Sequence, residues 1–276
     1  MPPKATARLS GFSWPEYALF LLLVPAVLAL VYLLPDAARS FFILDLQSPT
    51  LSTIFLSSYT HSSLSHLLGN LSWYLAIIFL AMRLEPDRRR FLRFSLLAFF
   101  ALPFISHYLV SIILPSLKGT SQGFSAIVSA YLGYLLYVIY DYLKINYFPK
   151  MQFSFLYFLL SINFVIWSAV YGMWTIFFLM VFFSLALAYV NIEAILEVSR
   201  KLLRQNAKLE RTNIRKRLFA SFAAVLPFCF FMLAPLDIVS GGVLINILAH
   251  YLGYVFGVAS GAALSWFCPA NRKAHS

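Results

Sequence analysis

Long apolar runs constrain this chain more than any other feature of its sequence. A helix needs roughly 17 to 25 apolar residues to cross a hydrocarbon core about 30 Å thick. Of the 276 residues 61% are hydrophobic and 11% are charged, a balance far from that of a soluble domain. The sequence contains eight runs of suitable length, at about 16–34, 64–82, 92–114, 124–143, 153–170, 173–191, 218–236 and 242–266. The runs predict an all-α, multi-pass integral membrane protein with about eight spans.

The basic residues predict how these spans are oriented. With the amino terminus placed inside, every Lys and Arg except Arg39 and Lys118 falls in an inner segment or tail. Because Lys and Arg are retained on the cytoplasmic side, both termini are expected in the cytoplasm. The short segment before the first span fits a protein of the cell membrane, which is the location we expect. The net charge of +11 then faces anionic membrane lipid, so it indicates no nucleic-acid partner.

Neither cysteine indicates a metal site. Cys229 lies inside a span and Cys268 lies just beyond the last one, a spacing that fits neither a metal cluster nor a disulfide framework. The cysteines therefore predict no metal cluster.

Three segments place polar residues at the start of spans. A polar side chain inside a membrane is energetically costly, so these residues are functional candidates. The segments are HSSLSHLLGN at 61–70, GTSQGFSA at 119–126 and AHYLGYVFGVASG at 249–261. His66 and Asn70 are four apart and share one helix face, although they could also be polar residues that cap a helix. Ser125 follows Gly123, which permits a sharp bend, but a serine at a helix start is commonly just a cap.

Small residues predict that the fourth and last spans pack closely. They recur every four residues in both: Ser125, Ser129 and Gly133, and Gly253, Gly257 and Gly261. Such faces let two helix backbones approach each other. If the faces pack, Ser125 and His250 meet at the outer end of one helix pair.

Depth in the membrane gives a second indication. At 1.5 Å per helical residue, Ser125, His66 and His250 lie about 24, 26 and 28 Å from the inner boundary. Against a core of about 30 Å, all three lie just below the outer surface. This shared level predicts a single site.

The residue types in this site indicate nucleophilic catalysis. A serine hydroxyl needs a base to take its proton, and the imidazole of His250 suits that role. His66, Asn70 and the Ser125 backbone N–H could donate hydrogen bonds to an oxyanion. Because none of the three segments contains a carboxylate, a Ser-His dyad is expected rather than a triad.

HSSLSHLLGN, GFSAIVSAYLGY and AHYLGYVFG together resemble the signature segments of the rhomboid intramembrane serine proteases. The resemblance covers about residues 16–143 and 218–266. It implies a six-helix core that cleaves single-span membrane proteins within the bilayer, without metal or cofactor. It also assigns roles: Ser125 is the nucleophile, His250 the general base, His66 and Asn70 the oxyanion-hole donors, and His61 a structural residue of the same helix, with Gly123, Gly253 and Gly257 shaping the site.

The remaining residues are interpreted as an insertion in a single membrane domain at 1–266. Two spans and a basic segment, at about 150–217, interrupt the core, and 267–276 form an inner tail. The segment at 191–217 has eight basic residues and apolar residues at helical spacing. It is either a helix on the inner membrane surface or a solvated linker.

Two other functions stay open. A catalytically inactive rhomboid relative that binds transmembrane clients is favoured by Ala126 and Ser129, where the family usually has Gly and Tyr, but it needs neither Ser125 nor His250. A transporter or channel would be expected to show repeated halves or charges at mid-membrane, and the sequence shows neither.

Overall fold

The structure, a computed structural model, describes residues 11–113, 118–208, 239–240, 243–244 and 247–267. Four helices in these ranges are long and apolar enough to cross a membrane, or five if one bent pair counts as a single span. This largely helical architecture is that of an all-α integral membrane protein. The span expected at 218–236 lies outside the described residues, and the spans expected at 153–170 and 242–266 are not among these helices. The total of eight spans and the six-helix core therefore stay predictions.

Within the described ranges the chain forms ten α-helices, besides short 3₁₀ helices at Ser40–Phe42 and Ser57–Tyr59. They are α1 (Trp14–Tyr32), α2 (Asp36–Arg39), α3 (Leu51–Leu56), α4 (Leu64–Leu84), α5 (Arg88–Ile113), α6 (Ser125–Asn146), α7 (Ser154–Val170), α8 (Trp174–Val190), α9 (Ile192–Lys208) and α10 (Ile247–Phe267). Short antiparallel pairs join β1 (Leu44–Asp45) to β2 (Thr120–Ser121) and β3 (Val239–Ser240) to β4 (Val243–Leu244). The four helices long and apolar enough to cross a membrane, called the spanning helices below, are α1, α4, α5 and α6.

The chain divides into two compact units, 1–135 with 237–276, and 136–236. The first unit contains the three segments that the sequence singled out. Its core forms where aromatic side chains of α4 and α5 meet the first half of α6. The rings of Phe94 and Tyr134 stack with centroids 4.0 Å apart, and those of Tyr74 and Tyr131 meet edge to face at 5.9 Å. These contacts hold the start of α6 in place.

A buried ion pair fixes the connection between α4 and α5. Glu85 is fully buried, and its carboxylate accepts hydrogen bonds from Arg90, at 2.6 Å from Nη2, and from the Tyr134 hydroxyl, at 2.5 Å. A charge removed from water is tolerated only when it is paired and hydrogen-bonded. The pair therefore ties the α4–α5 turn to α6.

The loop between α1 and α4 holds the turn that precedes α6. The Gly123 N–H donates to the Ser57 carbonyl at 2.9 Å, and the Tyr59 hydroxyl donates to the Phe99 carbonyl at 2.5 Å. That carbonyl cannot receive the usual helical hydrogen bond from residue 103, because Pro103 has no N–H. The Tyr59 hydroxyl therefore supplies the hydrogen-bond donor that Pro103 does not provide to the Phe99 carbonyl.

The second unit contains a helical hairpin, α7 and α8, which coincides with the two spans expected in the insertion. Gly172, with φ +64°, makes the turn between them, and the Ser184 and Ser161 hydroxyls share a buried hydrogen bond of 2.8 Å. α7 has 17 residues, fewer than the four spanning helices. The basic segment is helical from Ile192 to Lys208, and its axis turns 75° from that of α8.

Candidate functional site

The site begins at the tight turn before α6. Gly119 and Gly123 have φ values of +113° and +138°, a region that favours glycine. This is the sharp bend that the glycines predicted. Ser125 is the first residue of α6, so its N–H belongs to a helical turn whose N–H groups have no intrahelical acceptor.

His250 lies against Ser125. Its Nε2 atom is 2.6 Å from the Ser125 Oγ, a short hydrogen bond between residues 125 positions apart. This is the meeting of hydroxyl and imidazole that the spacing of the two spans predicted. In that pair the imidazole can take the hydroxyl proton as the oxygen attacks a carbonyl carbon.

The small faces of α6 and α10 pack as predicted. A Cβ added at Gly253 would overlap the Ala126 carbonyl, and one added at Gly257 would lie 2.7 Å from the backbone nitrogen of Tyr134. No side chain larger than hydrogen fits at either position. Gly253 and Gly257 thus let α10 approach closely enough for His250 to reach Ser125.

His66 lies beside Gly123 and near the Ser125 hydroxyl. A Cβ added at Gly123 would be 2.9 Å from His66 Cε1, 3.2 Å from His66 Nε2 and 3.8 Å from Ser125 Oγ. The His66 ring therefore occupies the space beside Gly123 and close to the serine. The Ser62 hydroxyl is 3.4 Å from the other ring nitrogen, Nδ1, at the long end of a hydrogen bond.

Asn70 lies one helical turn after His66 and is buried. Among the residues that the structure describes, nothing accepts a hydrogen bond from its Nδ2 atom. A buried donor without an acceptor carries a desolvation cost that a bound oxyanion would relieve. The amide is thus suited to bind a negatively charged oxygen.

His61 does not belong to the helix that carries His66, contrary to the prediction. The Ser63 hydroxyl caps the helix by accepting from the His66 N–H at 3.2 Å, so α4 begins at Leu64 and His61 precedes it. The His61 ring is fully buried edge to face against His66, with centroids 5.1 Å apart. Burial, and to a lesser degree the nearby His66, lowers the pKa of His61 to about 3, so the ring is neutral.

A cavity of about 50 Å³ adjoins Gly123 and Ala126 at the base of the site. It is large enough for water, which needs roughly 10 to 15 Å³ of such volume per molecule. Its polar lining comes from Ser57, Ser58, Ser106, His107, Ser121 and Gln122. Sequence reasoning missed Ser57 and Ser106, because nothing in the local sequence distinguishes either serine from the other polar residues around it.

In the described ranges, no three His, Cys, Asp or Glu side chains converge as a metal site would require. The groups that do converge on Ser125 are His250 and His66, with the Asn70 amide one turn along α4. This set can activate a hydroxyl and bind an oxyanion, which are the two requirements of acyl transfer.

Comparison of the chain with protein-family models, with curated proteins and with solved structures finds no match.

Proposed function

We propose that this chain is an intramembrane serine endopeptidase of the rhomboid type, which cleaves transmembrane helices of other membrane proteins with a Ser125–His250 dyad. The observation that carries the proposal is the 2.6 Å separation between Ser125 Oγ and His250 Nε2. A hydroxyl and an imidazole this close, on two helices packed through glycine, are suited to nucleophilic catalysis. The protein would be a multi-pass protein of the cell membrane with both termini in the cytoplasm.

In the first step the Ser125 oxygen attacks the carbonyl carbon of the scissile peptide bond while its proton passes to His250 Nε2. The carbonyl π electrons move to oxygen, and a tetrahedral oxyanion forms. When the C–N bond breaks, the imidazolium returns that proton to the leaving nitrogen. The products are a free amine and an ester of Ser125.

His66, Asn70 and the Ser125 N–H are the donors assigned to the oxyanion. The His66 ring lies beside Gly123 near the serine, and the buried Asn70 amide has a donor available. Donors fixed in place before the reaction stabilise the developing charge without reorganising. The family resemblance assigns the same two side chains to this role.

The second step requires water inside an apolar environment. The small polar cavity lined in part by Gly123 and Ala126, which flank Phe124 and Ser125 in the sequence, can hold such a water. His250 takes a proton from the water as its oxygen attacks the ester carbon, and a second tetrahedral oxyanion forms. The bond between that carbon and Ser125 Oγ then breaks, and the imidazolium gives the proton to Ser125 Oγ. The carboxylic acid product leaves and the dyad is restored.

The test is labelling of the purified protein in liposomes with a fluorophosphonate probe, combined with cleavage of a model single-span substrate. We expect label on the wild type, and none on Ser125→Ala or His250→Ala. Ser129→Ala is the matched control, because Ser129 is a buried serine one turn further along α6. It should keep both labelling and cleavage.

A wild type that takes no label and cuts no substrate would overturn the proposal. If such a protein still bound single-span helices, the client-binding function would be the correct one. Label that persists in Ser125→Ala would show that another nucleophile reacts.

A further inference from the structure

Over Ile192–Leu202, where its side chains are described, helix α9 packs along one face. Ala194 and Val198 are buried on that face. Lys201 extends it by donating from Nζ to the Tyr147 carbonyl at 2.6 Å. The attachment leaves the opposite face of α9 exposed.

The exposed face begins with an apolar stripe. Ile192 and Leu196 are 48% and 54% exposed, and Ser199 follows on the same side of the helix. Exposed branched aliphatic side chains one turn apart are costly in water. The stripe is therefore suited to an apolar surface, and the 75° turn after α8 directs α9 away from the axis of that apolar helix.

Basic residues follow the apolar stripe in the sequence. Arg200 is exposed, and the sequence repeats a basic residue every three or four positions after it, at Arg204, Lys208, Arg211 and Arg215. Arg200 contacts Glu197 at 3.1 Å, but an exposed ion pair of this kind is worth little and exchanges readily for another anion. The side chain of Arg200 is thus available to a phosphate group.

We propose that α9 binds the membrane surface and selects anionic phospholipid. Its apolar stripe enters the boundary between headgroups and acyl chains, and the cations from Arg200 onward contact the phosphates. An amphipathic helix with basic residues beside its apolar face is the form that such binding takes. A solvated linker would not be stabilised by the exposed Ile192 and Leu196 side chains. Binding of a nucleic acid would leave both side chains in water.

The test places an environment-sensitive NBD fluorophore at Ser199→Cys, in a full-length protein in which Cys229 and Cys268 are replaced by Ala. The protein is reconstituted in vesicles of phosphatidylcholine alone or with increasing phosphatidylglycerol. We expect the emission to shift to the blue as phosphatidylglycerol is added, and the shift to weaken with salt. Arg200→Gln with Arg204→Gln should lower the apparent binding constant of the helix about 25-fold, since each cation near the surface contributes about fivefold.

Two matched variants separate the contributions. Arg83→Gln with Arg89→Gln removes two exposed arginines elsewhere and should leave the shift unchanged. Ile192→Ser with Leu196→Ser should reduce the blue shift by the same amount in vesicles with and without phosphatidylglycerol. A fluorophore that stays in water in every vesicle, or a shift that ignores phosphatidylglycerol and the Arg200 variant, would overturn the proposal. The readout does not depend on peptidase activity.

Discussion

Gly257 lies so close to Ala130 that a Cβ on the glycine would overlap the alanine carbonyl oxygen. The same relationship holds one turn earlier between Gly253 and Ala126. Because the two backbones are in contact at successive turns, α6 and α10 can pack in only one register. Because Ser125 and His250 lie at the end of this contact, their 2.6 Å separation depends on it.

Replacing Gly257 with Ala should separate α6 from α10. The added methyl group has no space, and overpacking of a tight interface costs about 1–3 kcal/mol or more. We expect Gly257→Ala to unfold at lower temperature in detergent micelles and to lose labelling at Ser125. Gly69→Ala is the matched control, since a Cβ there meets nothing within 4 Å in a helix. It should be neutral or slightly stabilising; equal losses in both variants would contradict this explanation.

The close helix pair could be predicted from sequence because its cause is local and periodic. Gly253 and Gly257 are four residues apart, and so are Ser125 and Ser129, so each set occupies one helix face whatever the rest of the fold does. Periodicity therefore sufficed to predict that α6 packs against α10.

The contacts that support the site could not be predicted in this way. The Ser57 carbonyl holds Gly123, and Tyr59 bonds the Phe99 carbonyl, yet both come from a loop with no helical period. Only the folded chain shows which carbonyl a distant hydroxyl reaches. The prediction that His61 belongs to the same helix as His66 was wrong for a similar reason. The hydroxyl of Ser63, and not the apolar run, decides where α4 begins.

Gly123→Ala should damage the site more than Gly119→Ala. Both glycines have positive φ, so an alanine is strained at either one, by about 1–3 kcal/mol. Only at Gly123 would the new methyl also press on His66, 2.9 Å away. We expect kcat for substrate cleavage to fall strongly in Gly123→Ala, and to change little in Gly119→Ala at temperatures where both are folded. Similar kcat values in the two variants would rule out a role for the His66 contact.

Asn70→Ala should slow catalysis without destabilising the fold. Loss of one oxyanion donor typically lowers kcat by about 10²–10³-fold. The unfolding temperature should not fall, because the Nδ2 atom has no acceptor among the described residues to lose. Asn146→Ala removes an exposed amide that donates to the Tyr142 carbonyl, and it should leave kcat unchanged. A variant of Asn70 with unaltered kcat and lower stability would identify a purely structural residue.

Breaking the buried ion pair should be costly. Arg90→Met leaves the Glu85 carboxylate buried without its cation, a change worth about 3–5 kcal/mol of unfolding free energy. Glu85→Gln combined with Arg90→Met should recover part of that loss, since no charge then stays buried. Arg39→Met, in the exposed pair with Asp36, should cost about 1 kcal/mol or less. Additive losses in the double variant, measured by denaturant unfolding in micelles, would show that the two residues do not act as a pair.

Stability should fall in acid because of His61. Burial lowers its pKa to about 3 from an ordinary value of 6.5. Below pH 6.5 the unfolded chain therefore binds a proton that the folded chain refuses, and stability declines until the pH reaches about 3. His61→Gln removes the titrating group, so its unfolding temperature should depend less on pH across this window than that of the wild type. The loss of unfolding free energy across this window amounts to a few kcal/mol, at about 1.4 kcal/mol per pKa unit. Parallel pH profiles for the two proteins would mean that His61 is protonated as readily in the folded chain as in water.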